Sequence, residues 1–267
     1  MLEKIDQAVL DLLDEVRHRT LNRMQASYDI DLKSSYKDLV TTVDKENDQY
    51  ISTRLHEIDP GSRVVSEEGF GDEVATLTGH VWIVDPIDGT MNFVMQHANF
   101  YIMIALYVDG KPTLGYIMDV INGTVYHGGK KRGVFENNRR LTSPANNGLK
   151  DSLVALNSAM ILNNAHNLRE VAHQSRGLRM YGAAGMELVY VLTGQLGAYL
   201  SYLHPWDLAA GRVLAEAMGL VVKAIDAPSI DVLSSNLVLI ATKQAADDVL
   251  APVSYTHLRA HETRHDL

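Results

Sequence analysis

Apolar and polar residues alternate with a helical period over the first part of the chain. Apolar side chains recur at this spacing through residues 2–26, which predicts one amphipathic helix. An apolar β segment at 39–43 precedes a polar helix from Asp44 to about Ile58. A Pro-Gly turn at 59–62 ends that helix.

The middle of the chain changes to the two-residue period of strands. A short strand at 63–66 leads to Glu67 and Glu68, and the apolar run 81–84 predicts a buried strand that ends on Asp85 and stops at Pro86. Asp-Gly and Asn-Gly turns separate three further apolar runs and predict a β-meander. These runs are 101–108, 113–118 and 123–126.

The second half mixes strands and helices at irregular spacing. The predicted strands are 153–156, 196–200, 221–224 and 237–240. The predicted helices are 163–173, 185–192, 205–218 and 244–250. Mixed elements without a regular βαβ repeat favour a layered α/β sandwich over a barrel. We expect one domain over 1–253, and a disordered or non-native tail over 254–267, where apolar residues are few.

Composition excludes several classes of protein. The chain of 267 residues contains no cysteine, so disulfides and thiolate metal sites are impossible. No apolar run approaches the roughly 18 residues of a membrane span, and the N-terminus lacks a signal-peptide core, so we expect a cytoplasmic protein without a membrane partner. The formal charge of −9 argues against a nucleic-acid polymer as partner and requires cations if the substrate is an anion.

Carboxylates occur at the ends of predicted elements in four separate segments. They are Asp44, Glu67 with Glu68, Asp85 with Asp88, and Asp207. Ligands of open α/β sheets bind at strand ends, and converging carboxylates cannot all ionise without cations. Magnesium prefers oxygen ligands, and the Gly89-Thr90 turn offers backbone N–H groups to a phosphate. The combination predicts metal-assisted phosphoryl chemistry.

Each acid also has a simpler interpretation. Asp44 could cap a helix, the Glu67-Glu68 pair could lie in a solvated turn, and Asp207 could complement a helix dipole. The spacing of the acids after Asp85 could also indicate a calcium loop, but the position eleven residues later is Gln96, where an EF-hand requires glutamate. The full set in this order favours the phosphoryl interpretation.

With these motifs in view, the chain resembles the inositol monophosphatase family of lithium-sensitive, magnesium-dependent phosphatases. The two long matching motifs are Asp85–Phe93 and Trp206–Gly211, and the shorter ones are Lys33–Ser35, Asp38–Thr41 with Asp44, and Glu67–Glu68. The similarity runs from about residue 4 to 250 and is greatest to the branch of Gram-positive bacteria, in which Pro205 precedes the second motif. It implies an αβαβα sandwich of the sugar-phosphatase type and a homodimer.

The resemblance implies a role for each matching residue. The implied metal ligands are Glu67, Asp85, the carbonyl of Ile87, Asp88 and Asp207. The implied catalytic residues are Glu67, Thr90 and Asp44, of which Asp44 and Thr90 would orient the attacking water. The implied substrate contacts are Asp88, Gly89, Thr90, Ala184 and Asp207. Lys33 and Glu68 would support these groups from behind. Two or three magnesium ions and inhibition by lithium are implied as well.

The implied function is magnesium-dependent hydrolysis of small phosphate monoesters by in-line attack of a metal-activated water. Inositol monophosphate or a related sugar or polyol phosphate is the expected substrate. Animal members have a glutamate before the second motif that contacts inositol hydroxyls, and residues 198–205 contain no acid. Fructose-1,6-bisphosphatase, 3′(2′),5′-bisphosphate nucleotidase and NADP phosphatase activities therefore stay open. A catalytically silent metal- or phosphate-sensing protein on the same fold is the alternative from another class.

Overall fold

The first two layers of the fold are a helix pair and a seven-stranded sheet. The structure is a computed structural model that describes residues 2–33, 36 and 38–262, the side chains of 254–262 excepted. Helices α1 (Leu2–Met24) and α2 (Thr42–Ile58) pack on one face of this sheet. Its strands, in spatial order, are β3 (Arg63–Ser66), β4 (His80–Asp88), β5 (Tyr101–Val108), β6 (Lys111–Asp119), β7 (Thr124–Gly129), β8 (Gly133–Glu136) and β9 (Arg139–Arg140). All neighbours are antiparallel except β3 and β4, which are parallel.

The remaining three layers come from the second half of the chain. Helices α6 (Ala184–Leu192) and α7 (Pro205–Ala217) separate the first sheet from a five-stranded sheet. The order of that sheet is β11 (Gly177–Arg179), β10 (Leu153–Leu156), β12 (Ala198–Leu203), β14 (Asn236–Ala241) and β13 (Val221–Ala224). Helices α5 (Leu168–Gln174) and α8 (Lys243–Glu262) cover its other face. The predicted αβαβα sandwich is confirmed.

A short ribbon and two short helices lie between these layers in the chain. A two-stranded antiparallel ribbon of β1 (Ile30–Leu32) and β2 (Leu39–Thr41) precedes α2. Helix α3 (Thr90–Gln96) follows β4 directly, and α4 (Ser158–Leu162) follows β10. Among the helices that the structure describes, none is long and apolar enough to cross a membrane.

The apolar run of β4 is continuous because both faces of the sheet are covered. Trp82 and Val84 pack with α1 and α2, whereas Ile83 between them packs in the central layer with α6 and α7. Successive side chains of a strand point to opposite faces, so a strand between two helical layers needs apolar residues at every position.

Close packing within the central layer also explains Gly211 of the second motif. A Cβ there would lie 2.4 Å from the Leu188 side chain.

Two predicted helices are wrong in detail. The helix predicted for 163–173 is broken, because Asn164, His166 and Asn167 adopt positive φ angles of 50°, 52° and 58°. Asparagine tolerates this left-handed conformation, so a 3₁₀ turn separates α4 from α5 where a longer helix was expected. The closing helix begins at Lys243, one residue before the predicted start, and continues to Glu262, well beyond the predicted end at 250.

The tail over 254–267 stays a prediction. The backbone of 254–262 belongs to α8, and residues 263–267 lie outside the described part of the chain. The buried contacts of α8 with the second sheet come from Ala245, Ala246, Val249 and Val253. We expect a chain that ends after Val253 to keep its activity and to unfold within about 2 °C of the full chain. A larger shift would require the tail to contribute ~1 kcal/mol or more to the free energy of unfolding. A larger fall in thermal unfolding would show that the tail is part of the domain.

Candidate active site

The carboxyl end of β4 presents two buried aspartates through a β-bulge. Asp85 pairs with Met103 of β5, and Asp88 pairs with Tyr101, so three steps along β4 match two along β5. We predicted that the strand stops at Pro86, and this is wrong: β4 continues to Asp88. Proline is tolerated because the bulge needs no ladder N–H at this position. The bulge thereby buries both carboxylates, which are 1% and 5% exposed.

Asp88 also closes the first turn of α6. Its Oδ1 accepts the N–H of Ala184 at 2.8 Å, and its Oδ2 accepts the N–H of Gly185 at 2.7 Å. The N-cap residue Ala183 provides no side-chain cap, so Asp88 satisfies these free donors from another element. A Cβ on Gly185 would lie 2.9 Å from Asp88 Oδ2, which explains the glycine. Both carboxylate oxygens are therefore held in a fixed orientation.

Asp207 reaches the same point from the first turn of α7. Its Oδ2 accepts the N–H of the N-cap residue His204 at 2.9 Å, in a capping box. Carboxylate oxygens of Asp85, Asp88 and Asp207 lie within 4.8 Å of one another. Asp207 therefore lies at the start of a helix and also converges with the other acids, so the two interpretations of this residue hold together.

Lys33 is the cation beside these acids. Its Nζ lies 2.8 Å from Glu67 Oε1 and 2.5 Å from Glu68 Oε1. The Glu67 carboxyl is in turn hydrogen-bonded to that of Asp85, which joins the pair to the cluster. The predicted position of Lys33 behind the acids is consistent with these contacts. Residues 34 and 35 of the same short motif lie outside the described residues.

Asp44 and Thr90 are joined directly. The Thr90 hydroxyl lies 2.9 Å from Asp44 Oδ1 and 3.1 Å from the Ile87 carbonyl, and its one hydrogen serves one acceptor at a time. Asp44 Oδ2 accepts the N–H and the hydroxyl of Thr41. Thr41, not Asp44, is the N-cap of α2, and Asp44 is the third residue of the helix in a capping box. The carboxylate thus caps the helix and holds Thr90.

Gly89 forms the turn between β4 and α3. Its φ of +87° suits glycine, and a Cβ would lie 2.9 Å from that of Ala183. Gly89 is the N-cap of α3 and offers no side-chain cap, so the first N–H groups of the helix are free of side-chain partners. The predicted turn from strand to helix is confirmed.

Burial leaves these acids reluctant to ionise. Burial, and then the neighbouring carboxylates, raise the pKa of Asp85 and Asp88 well above the ordinary value. Burial also raises the pKa of Asp207, and it raises the pKa of Glu67 to about 7 although Lys33 opposes the change. Without a cation, burial and mutual repulsion therefore favour the protonated form of these acids.

A pocket of about 280 Å³ opens beside the cluster. Asp88, Ala184 and Asp207 line it, and these are three of the five predicted substrate contacts. The far wall follows the carboxyl ends of β10, β11 and β12, which run parallel to one another. Carboxyl ends of parallel strands are the usual place for a ligand. Met180 and Tyr202 form an exposed apolar part of this wall.

Two buried acids near the site escaped the sequence analysis. Asp48, fully buried, accepts the N–H of Glu68 at 2.9 Å and the hydroxyl of Ser52 at 3.1 Å. It holds the turn that carries Glu67 and Glu68. Glu187 is buried in α6 and lines the pocket. Both had a signal: Asp48 lies one helical turn after Asp44, and Glu187 is the one charged residue of an apolar helix.

Comparison with known proteins agrees with this geometry. The model of the inositol monophosphatase family matches residues 1–258. Inositol-1-monophosphatase of Bacillus subtilis is 36% identical over 241 residues, covering 88% of this chain and 91% of that protein. An IMPase/NADP phosphatase solved with Mg²⁺ and phosphate superposes with a TM-score of 0.86 at 29% identity, covering 94% and 95% of the two chains.

A second solved structure is a staphylococcal inositol monophosphatase-1 soaked in LiCl, described as an inhibitory complex. It has a TM-score of 0.86 at 28% identity and covers 94% of this chain and 95% of its own. The match of the family model spans both long motifs and every acid of the cluster. The chain belongs to the inositol monophosphatase family, whose members are phosphoric monoester hydrolases.

Proposed function

We propose that this protein hydrolyses small phosphate monoesters with the help of magnesium. The observation that carries the proposal is the cluster of Asp85, Asp88 and Asp207, whose oxygens lie within 4.8 Å of one another. Among the described residues, no lysine or arginine forms an ion pair with any of the three. Three carboxylates this close together, two of them buried, are costly without a cationic partner, and a bound cation is the simplest compensation.

The donor set fits magnesium. We propose that Glu67, Asp85, the Ile87 carbonyl, Asp88 and Asp207 hold two or three ions. All of these donors are oxygens, which Mg²⁺ prefers. Burial and the neighbouring carboxylates raise the pKa values of Asp85 and Asp88, and a bound cation would relieve that repulsion. When bound, Mg²⁺ neutralises charge on the phosphate and lowers the pKa of water. The Mg²⁺ and phosphate of one solved relative support this proposal.

The residues of the chain itself would bind the substrate and handle the proton. The free N–H groups of Gly89 and Thr90 would bind phosphate oxygens at the start of α3. Asp44 would accept the hydrogen of the Thr90 hydroxyl, which leaves a lone pair of that oxygen to accept a proton from the attacking water. Water would therefore attack phosphorus directly as the bond to the ester oxygen breaks, which releases the alcohol and inorganic phosphate with no phosphoenzyme, because Thr90 by itself is a weak nucleophile.

The pocket supports a polyol phosphate such as inositol monophosphate as the substrate. Its wall contains the hydroxyls of Ser158 and Ser201 together with the carboxylates of Asp88 and Asp207. Such groups suit the hydroxyls of a sugar or inositol ring. The lithium-soaked relative supports inhibition of this protein by lithium. We further propose, on the resemblance alone, a homodimer in the cytoplasm.

NADP phosphatase activity is a second candidate, favoured by the apolar part of the pocket wall. Met180 is 54% and Tyr202 56% exposed, and both line the pocket. An exposed aromatic ring at this place offers a stacking surface to a nucleotide base, which inositol cannot use. The solved IMPase/NADP phosphatase supports the same candidate. Tyr202→Ala is expected to lower kcat/KM for NADP without a comparable loss for inositol 1-phosphate.

Phosphate release from a panel of substrates tests the proposal. The panel contains inositol 1-phosphate, fructose 1,6-bisphosphate, 3′,5′-bisphosphonucleotide and NADP, each with magnesium, with and without lithium. We expect magnesium-dependent release from at least one of them, inhibited by lithium. Release from none would favour the silent metal- or phosphate-sensing protein, and preference for NADP would establish the second candidate.

The raised pKa of Glu67 predicts how pH acts on magnesium binding. Its folded pKa of about 7 exceeds the ordinary 4.5, so the proton stabilises the metal-free fold below pH 4.5, and this stability is lost as pH rises towards 7. Magnesium must displace such protons, so its stabilising effect should grow with pH. Thermal unfolding with EDTA or Mg²⁺ is expected to give a larger Mg²⁺-induced rise in Tm at pH 8 than at pH 6. An equal or larger rise at pH 6 would contradict the protonated cluster.

A further inference from the structure

Glu187 is a buried carboxylate that the proposed reaction does not use. It lies in the first turn of α6, is 7% exposed and belongs to the central layer between the two sheets. A carboxylate in such surroundings is costly unless several donors satisfy it. Burial also raises the pKa of Glu187. The groups that donate hydrogen bonds to Glu187 indicate which part of the structure this buried acid holds.

Those donors come mainly from the loop of Tyr181 and Gly182. The N–H of Tyr181 donates to Glu187 Oε1 at 3.0 Å, and the N–H of Gly182 and the hydroxyl of Tyr199 also donate to this carboxylate. Asn92 holds the same loop through its carbonyl, since Asn92 Nδ2 donates to the Tyr181 oxygen at 2.9 Å. Glu187 thus holds the two amides of the loop, and Asn92 holds the Tyr181 carbonyl.

The same loop leads directly to the two amides that hold Asp88. Ala184 and Gly185 follow it in the chain and occupy both oxygens of that carboxylate. A displacement of Tyr181 and Gly182 would move these amides and turn the carboxylate. The chain of contacts therefore runs from Glu187 through the loop to the acidic cluster.

We propose that Glu187 is a positioning residue that sets the affinity of the acidic cluster for magnesium. Glu187 lines the pocket, but its carboxylate accepts from the loop donors, and we assign it no contact with the phosphate or the ion. It acts by holding the loop whose continuation fixes the orientation of Asp88. This inference rests on the proposed function, in which Asp88 holds Mg²⁺.

Glu187→Gln tests the proposal with magnesium alone. Glutamine keeps one acceptor oxygen and turns the other into an NH₂ group that faces the donors of the loop. Thermal unfolding is recorded against Mg²⁺ concentration without substrate, so the measurement does not depend on catalysis. We expect the Mg²⁺ concentration for half-maximal stabilisation to rise about tenfold, as for other groups that support metal ligands from behind. An unchanged concentration overturns the proposal.

Three comparisons separate positioning from a general loss of stability. Tyr199→Phe removes one donor to Glu187 but leaves its bonds to the loop, and Asp6→Asn alters an acid, 3% exposed, on the other face of the first sheet. Both are expected to unfold at lower temperature with an unchanged Mg²⁺ concentration. If Tyr199→Phe or Asp6→Asn raises the Mg²⁺ concentration for half-maximal stabilisation as much as Glu187→Gln does, the effect is a general loss of packing and not positioning. Asn92→Asp releases the loop at Tyr181 and should reproduce the rise; it also serves if Glu187→Gln does not fold.

Failure of this inference and failure of the proposed function give different results. If the wild-type protein shows neither Mg²⁺-induced stabilisation nor phosphate release, the proposed function fails and the inference falls with it. If the wild-type protein shows both and Glu187→Gln matches its Mg²⁺ dependence, Glu187 has no positioning role and the proposed function stands.

Discussion

Asp88→Asn is expected to lower kcat about 10³-fold or more. Such a loss corresponds to about 4 kcal/mol of transition-state stabilisation. Asp88 is one of three carboxylates that converge within 4.8 Å, and its charge cannot be replaced by a neighbour that faces the same point. Asparagine has nearly the same shape, so the pocket remains. One of the two carboxylate oxygens and the negative charge are lost. Phosphate release at saturating substrate and magnesium measures the effect.

The fold should survive this change. Asparagine retains one acceptor for the amides of Ala184 and Gly185 and loses the other, which costs about 1–3 kcal/mol. Removal of a charge that its neighbours repel offsets part of that cost. Asp59→Asn is the matched control, because Asp59 is also buried and accepts from His80 and Trp82 outside the site. It should lower stability and keep kcat; turnover of Asp88→Asn within tenfold of wild type would refute the metal assignment.

Thr90→Val is expected to lower kcat by about 10²–10³-fold with little change in magnesium binding. Valine keeps the shape of threonine and removes the hydroxyl that donates to Asp44 at 2.9 Å. Loss of a positioned proton acceptor typically costs 10²–10⁴-fold. The Asp44 carboxylate stays in place, because Thr41 continues to donate to its other oxygen. Steady-state kcat and the Mg²⁺ dependence of thermal unfolding measure the two quantities separately.

Thr90→Ser and the double variant with Asp44→Asn complete this test. Serine retains the hydroxyl and should keep kcat within about tenfold of wild type. Asp44 and Thr90 act as one unit, so the double variant should lose about as much as the more damaging single change. Multiplied losses would mean that Asp44 and Thr90 act independently. Equal losses for serine and valine would mean that the hydroxyl has no role in the proton step.

Periodicity located most of the elements, because the fold buries them in regular layers. The strand at 63–66 and the strand at 221–224 have the bounds predicted for them. The run at 81–84 was recognised as a buried strand for the right reason, since both faces of β4 are covered. Its extension to Asp88 could not be inferred, because a proline normally ends a central strand and the bulge depends on pairing with β5.

The acids of the cluster could be named from the sequence, but their bonds could not. The positions of Asp85, Asp88 and Asp207 at the ends of predicted elements, together with the family resemblance, implied that they converge, and they do. The bond from Asp88 to the start of α6 joins residues 96 and 97 positions apart, so no local pattern records it. Asp48 and Glu187 were missed for a similar reason. Backbone N–H groups of Glu68, Tyr181 and Gly182 are among their partners, and such groups, which every residue except proline possesses, leave no trace in the sequence.

The most direct test of the central claim is phosphate release from inositol 1-phosphate by protein stripped with EDTA and then titrated with Mg²⁺. We expect no release from the stripped protein, full recovery as Mg²⁺ is added, and a fall in rate when lithium is included. Parallel calorimetry should show Mg²⁺ binding to the wild type and much weaker binding to Asp88→Asn. Release that is indifferent to EDTA and Mg²⁺, or Mg²⁺ binding that Asp88→Asn leaves unchanged, would contradict the account.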